Sequence, residues 1–148
     1  MSAIRIYTIG FTQKSAEQFF DTLLKAGVRK IVDARLNNSS QLSGFAKKDD
    51  LKYFLKIIGN IEYIHMPILA PTEEILVEYR KKKLDWETYK KKFLELLEKR
   101  KIEKIVSPSE LDRACLLCSE HLPRQCHRLL VAEYLKNKWD DVKIEHLT

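Results

Sequence analysis

Glycine and proline are scarce, with four of each in 148 residues, and there are only three cysteines. So few turn-formers and breakers exclude a Gly/Pro-rich disordered or fibrous chain. The 45% hydrophobic fraction is that of one globular domain, residues 1–148, with a real core. Three cysteines, an odd number clustered in one corner of the sequence, do not make the framework of a secreted scaffold. Cys118 and Cys126 can still pair with each other, and the 32% charged fraction led by Lys and Glu leans toward a thermophile cytosol in which such pairs persist. Long apolar runs are missing too: none approaches the roughly 20 residues that span a bilayer, and IRIYTIG starts as a strand rather than a signal core. The expectation is a cytoplasmic protein with no membrane partner.

What the chain does have is a local excess of positive charge. Residues 80–104 carry 11 Lys or Arg against 5 Asp or Glu, and the remainder carries 16 of each, so the whole net charge of +6 sits in that segment. Trp86, Tyr89, Phe93, Leu94 and Leu97 recur there at helical spacing, which turns Lys90, Lys91 and Lys92 mostly outward. With Lys81, Lys82 and Lys83 they form either a solvated face or a contact surface for a nucleic-acid backbone; interspersed Glu95, Glu98 and Glu103 weaken the second reading.

Short apolar strands alternate with helices. Strands are expected at Arg5 to Gly10, Lys30 to Arg35, Glu62 to Met66, Ala114 to Cys118 and Val142 to His146. The first helix carries a capping box, Ser15 with Gln18, places Ala16, Phe19, Phe20, Leu23 and Leu24 on one face, and ends at Gly27. A polar loop runs from Leu36 to Lys48. The second helix, from Asp50, sets Leu51, Phe54, Leu55 and Ile58 on one side. Two helices broken near Leu84 and Asp85 fill Thr72 to Ile102, Ser107, Pro108 and Glu110 start a short one, and the last runs from Cys126 to Lys138. This alternation predicts an α/β fold: a single Rossmann-like domain, a mainly parallel sheet flanked by helices on both faces.

Ligands of such sheets bind beyond the carboxyl ends of the strands. That rule gathers Gly10 and Thr12, then Asp33 and Arg35, then Cys118, Glu120, Cys126, His127 and Arg128 at one rim. The densest part is ACLLCSEHLPRQCHRLLVAEYLK, from Ala114 to Lys136, a buried strand followed by a polar loop and a helix start. A helix N-terminus favours an anion and lowers a thiol pKa.

CSE, a proline, then CHR followed by LLVAEYL resembles the signature of the domain of unknown function 488 family. YTIGFT (Tyr7 to Thr12), IVDAR (Ile31 to Arg35) and IEYIHMPIL (Ile61 to Leu69) are similar to three further motifs of that family, in order and over most of the chain. The chain departs from the family's pattern at Phe11, Asn38, Ser40, Gln41, Ala70 and Pro71. The resemblance implies a fold and a candidate site rather than an established reaction.

Three chemistries suit the rim residues. Cys118 and Arg124 have the C-x5-R spacing of a phosphatase thiolate loop, although Glu120 inside that loop would repel a phosphate and the loop has no glycine. Cys118, Cys126 and His127 supply three ligands for a transition metal such as zinc in a metal-dependent hydrolase, with Glu120, His121 or His65 as a fourth. Adjacent helical residues diverge by roughly 100°, which makes that awkward, and no cofactor is predicted. The third reading needs no missing ligand. Arg35, Arg128 and the helix N–H groups hold the anion of a phosphorylated small molecule or nucleotide, with Thr12, Asp33 and Cys126 beside it. Cys118, Glu120 and His127 then carry the chemistry of a hydrolase or nucleic-acid processing enzyme. Each residue has a plainer role to set beside this. Asp33 and Arg35 form an ion pair, Thr12 caps a helix, Cys115 packs in the core, and His65 is a hydrogen-bonded strand histidine. His121 and His146 carry little signal.

Overall fold

Side-chain caps decide where most helices begin in the computed structural model, which describes residues 3–11, 14–36, 48–81, 85–118 and 126–147. Ser15 and Gln18 form the expected reciprocal box before α1 (Ala16–Ala26), and Gly27 closes it in the left-handed conformation at φ 78°. Thr72 caps α3 (Glu73–Arg80) and Asp85 caps α4 (Trp86–Arg100), so the long helical region is broken as expected. Ser107 and Glu110 box the one-turn α6 (Pro108–Leu111). Further elements are α2 (Lys48–Gly59), a 3-10 turn at Pro67–Leu69, α5 (Ile102–Ile105) and α7 (His127–Lys138). The strands are β1 (Ile4–Gly10), β2 (Lys30–Asp33), β3 (Glu62–His65), β4 (Ala114–Cys118) and β5 (Val142–His146). Among the described residues no helix is long and apolar enough to cross a membrane.

All four strand pairings are parallel, in the order β3-β2-β4-β1-β5. Alternation then sorts the side chains by face. Tyr7, Ile9, Ile31, Cys115 and Leu117 pack against Phe19, Phe20 and Leu23 of α1 and Leu51 and Leu55 of α2. Ile6, Val32, Ala114 and Leu116 pack on the other face, against Tyr89, Phe93 and Leu97 of α4 and Leu130, Val131 and Leu135 of α7. Both faces of β4 are covered, which is why ACLLC is buried without a polar position. The Rossmann-like α/β domain is therefore present.

Several boundaries differ from the sequence expectation. β2 stops at Asp33, not Arg35, and β3 at His65, not Met66; the residues beyond are taken up by single hydrogen bonds, Ala34 N to Leu117 O and Met66 N to Asp33 O. α2 begins at Lys48, and Cys126 is the residue before α7 rather than part of its first turn. Leu24, Phe54 and Ile58, expected on packing faces, are 44%, 36% and 45% exposed. α1 and α2 lie side by side, so only one stripe of each reaches the sheet. The flanking apolar residues line a groove between them, with Phe20, Glu17, Asp21 and Asp50.

A cation holds the opposite face together. Arg100, at the end of α4, donates from Nη1 to Ile68 O at 2.6 Å and Ala70 O at 2.7 Å, pinning the 3-10 turn that leads out of β3. Arg100→Ala is expected to lower the unfolding free energy by about 1–3 kcal/mol, since two partly buried carbonyls lose a charged donor. Urea denaturation checks this, and a change within about 0.5 kcal/mol, typical of a surface site, would contradict it.

Candidate functional site

β2 and β4 are neighbours whose onward connections part. β2 leads through α2 to β3 at one edge; β4 leads through α7 to β5 at the other. Diverging connections on opposite faces open a crevice at the carboxyl ends of such a pair. Its floor is in register: Asp33 lies beside Leu117, Ala34 N reaches Leu117 O at 3.0 Å, and Gly10 of β1 lies beside Cys118.

On the β2 side stands Arg35, 3% exposed, in a bidentate pair with the fully buried Asp33: Nε to Oδ1 and Nη2 to Oδ2, both 2.8 Å. The Tyr63 hydroxyl also donates to Asp33 Oδ2, and the Arg35 N–H donates to Oδ1 at 3.1 Å. The guanidinium carbon sits 5.3 Å from the centre of the Phe11 ring. Among the described residues every polar atom of the pair is thus satisfied except one: Arg35 Nη1 is buried with no hydrogen-bond partner there.

Two imidazoles fix the backbone around this arginine. His65 Nε2 is 2.7 Å from Arg35 O, and His127 Nε2, on the first turn of α7, is 2.7 Å from Ala34 O. A carbonyl only accepts, so both Nε2 atoms carry hydrogen and donate it. The His127 ring also stands edge-on to Phe93.

On the β4 side stands Arg128, the largest fully buried side chain among the described residues. Its Nη1 donates to Cys118 Sγ at 2.9 Å and its Nε to Thr8 Oγ1 at 3.3 Å. Thr8 Oγ1 is 2.6 Å from His146 Nδ1. Because a guanidinium can only donate, the Thr8 oxygen accepts from Arg128 and its own hydrogen is placed for His146 Nδ1. Burial, and secondarily the Arg128 charge, lower the His146 pKa, which keeps that ring neutral and able to accept. Burial and then Arg128 likewise lower the pKa of Lys14, which puts a second cation within electrostatic reach of Arg128.

Cys118 and Cys126 are paired through their sulfurs, with Cα atoms 7.7 Å apart. Cys115 points to the other face of β4 as a buried free thiol, which burial pushes well above its ordinary pKa. The candidate metal ligands are engaged otherwise, the two sulfurs with each other and His127 Nε2 with a carbonyl. Among the described residues no three His, Cys, Asp or Glu side chains assemble a metal site. The arginine at the Cys118 sulfur is Arg128; Arg124 lies outside the described residues, as do Thr12, Glu120 and His121.

The structure thus brings Asp33, Arg35, Cys118, Cys126, His127 and Arg128 to the carboxyl ends of β2 and β4. It adds Thr8, Lys14 and His146, which sequence reasoning passed over. Thr8 left a trace, as the one polar side chain on an otherwise apolar strand face; Lys14 left none. The basic surface lies elsewhere. Lys91 and Lys92 of α4 are exposed and Lys90 half-buried, with Lys92 3.5 Å from Glu78, while Lys81 follows α3 and Lys82 and Lys83 are outside the described residues.

No curated protein and no solved structure matches the chain. The family described as domain of unknown function DUF488 matches over residues 15–135, from the cap of α1 into the last turn of α7, and so takes in every element of the crevice except β1 and β5. With most of its length matched, the chain belongs to the DUF488 family.

Proposed function

We propose that the crevice binds a phosphate- or nucleotide-type anion. The observation that carries the reading is Arg35 Nη1. A buried donor without a partner forfeits about 1–3 kcal/mol, more when charged, and native proteins rarely leave one so. Asp33 holds the other two nitrogens, so the guanidinium is rigid and offers one N–H2 corner to an oxygen ligand. Arg128, Lys14 and the N-terminus of α7, whose cap residue Cys126 makes no side-chain hydrogen bond to it, add positive potential at the same strand ends. In this reading the protein is a hydrolase or nucleic-acid processing enzyme. His127 moves a proton at Nδ1, Glu120 enters from the sequence as its partner, and Cys118, once its bond to Cys126 is reduced, is the nucleophile candidate beside Arg128.

A thermal-shift series with inorganic phosphate, nucleoside phosphates and a short oligonucleotide tests it. At 100 times Kd the stabilisation is about 2.7 kcal/mol, a Tm rise of several degrees. We expect this for phosphate or a nucleotide in the wild type and its loss in Arg35→Met. Stabilisation by the oligonucleotide alone, salt-sensitive and unchanged in Arg35→Met, would instead assign binding to Lys81, Lys82, Lys83, Lys90, Lys91 and Lys92.

A further inference from the structure

We propose that Cys118 and Cys126 form a peroxide-sensitive dithiol whose oxidation strengthens anion binding at Arg128. The inference rests on the anion reading above and concerns its regulation.

The environments of the two sulfurs carry it. A buried guanidinium donates to Cys118 Sγ at 2.9 Å. A disulfide sulfur is a weak acceptor for such a donor, whereas a thiolate is a charged one, so the contact favours the ionised, reduced form of Cys118. Cys126 occupies the cap position of α7, a 12-residue helix, where the helix dipole also favours a thiolate. The two sulfurs meet, so neither has to travel to reach the other. Cys115 takes no part, being held protonated by burial on the opposite sheet face.

The chemistry balances with hydrogen peroxide as oxidant. The Cys118 thiolate attacks one peroxide oxygen, the O–O bond breaks, and the departing hydroxide takes a proton to leave as water, giving a sulfenic acid. The Cys126 thiolate then attacks the Cys118 sulfur; the S–S bond forms, the S–O bond breaks, and the second hydroxide is protonated. Two thiols and one peroxide become one disulfide and two waters.

The consequence for the ligand is electrostatic. Reduced Cys118 sets a negative charge against the Arg128 guanidinium, where it competes with any anion that guanidinium would attract. The disulfide removes that charge and leaves the arginine in place.

The test is phosphate titration by calorimetry on one preparation, divided into a peroxide-treated half and a half reduced with dithiothreitol, with the Cys118–Cys126 linkage verified by peptide mass spectrometry. Phosphate is expected to bind the oxidised half at least tenfold more tightly. Cys118→Ser, which has no thiolate, should bind at the oxidised affinity in both conditions, and Cys126→Ser, which keeps the Cys118 thiolate, at the reduced affinity in the half reduced with dithiothreitol. Equal affinity in the two halves, or no Cys118–Cys126 linkage after peroxide, would overturn the switch while leaving the anion site standing. No phosphate binding in either half would overturn the anion reading and the switch together.

Discussion

Asp33→Ala is expected to lower the unfolding free energy by about 3–5 kcal/mol, the usual cost of stranding one member of a buried ion pair. The side chains of Asp33 and Arg35 are 0% and 2% exposed, so solvent cannot take over the role of the missing carboxylate. The change strands both nitrogens that Asp33 holds and removes the acceptor of the Tyr63 hydroxyl as well. Asp33→Asn, which keeps an acceptor but no charge, should fall between. Urea denaturation with an unchanged m-value is the measurement. A loss below about 1 kcal/mol for the alanine variant would mean that Arg35 finds another partner and that its guanidinium is not held rigid for a ligand.

Arg128 tests fold and function separately. Arg128→Ala removes a large, fully buried side chain and should cost about 3–5 kcal/mol, by cavity formation and by leaving the Thr8 oxygen without its donor. Arg128→Met fills much of the same volume without charge, and such replacements of buried charge are often close to neutral. It should therefore fold normally and bind phosphate about 10- to 100-fold more weakly, the equivalent of one charged hydrogen bond of about 1.5–3 kcal/mol. Normal phosphate affinity in Arg128→Met would remove this arginine from the site.

Much of the fold was legible because its signals are local. The boxes at Ser15 and Ser107, the Gly27 stop and the apolar ACLLC run each act within a few residues, and each produces the element it predicts. Strand order is not local. The placement of β4 between β2 and β1 joins residues far apart in the chain, and it alone brings Arg35 beside the end of β4. Leu24, Phe54 and Ile58 share their helices' apolar sides with residues that do reach the sheet; whether they are covered depends on the spacing of α1 and α2, which periodicity does not encode.

The site divides in the same way. Asp33 with Arg35 was readable because residues two apart in an extended segment project to the same side, although the strand itself ends at Asp33. The chain from Arg128 through Thr8 to His146 was not, since it links a helix to two strands across the sheet, and His146 alone resembles any edge-strand histidine. Nor does any spacing rule say that three nitrogens of one arginine will find partners unequally. Arg35 Nη1 is visible only once the hydrogen bonds are counted.

The most direct test of the account is a crystal structure of the wild-type protein soaked in phosphate. The account predicts a tetrahedral anion within hydrogen-bond distance of Arg35 Nη1 at the carboxyl ends of β2 and β4. An empty crevice at saturating phosphate, with Arg35 Nη1 bonded to a protein carbonyl or carboxylate, would contradict it.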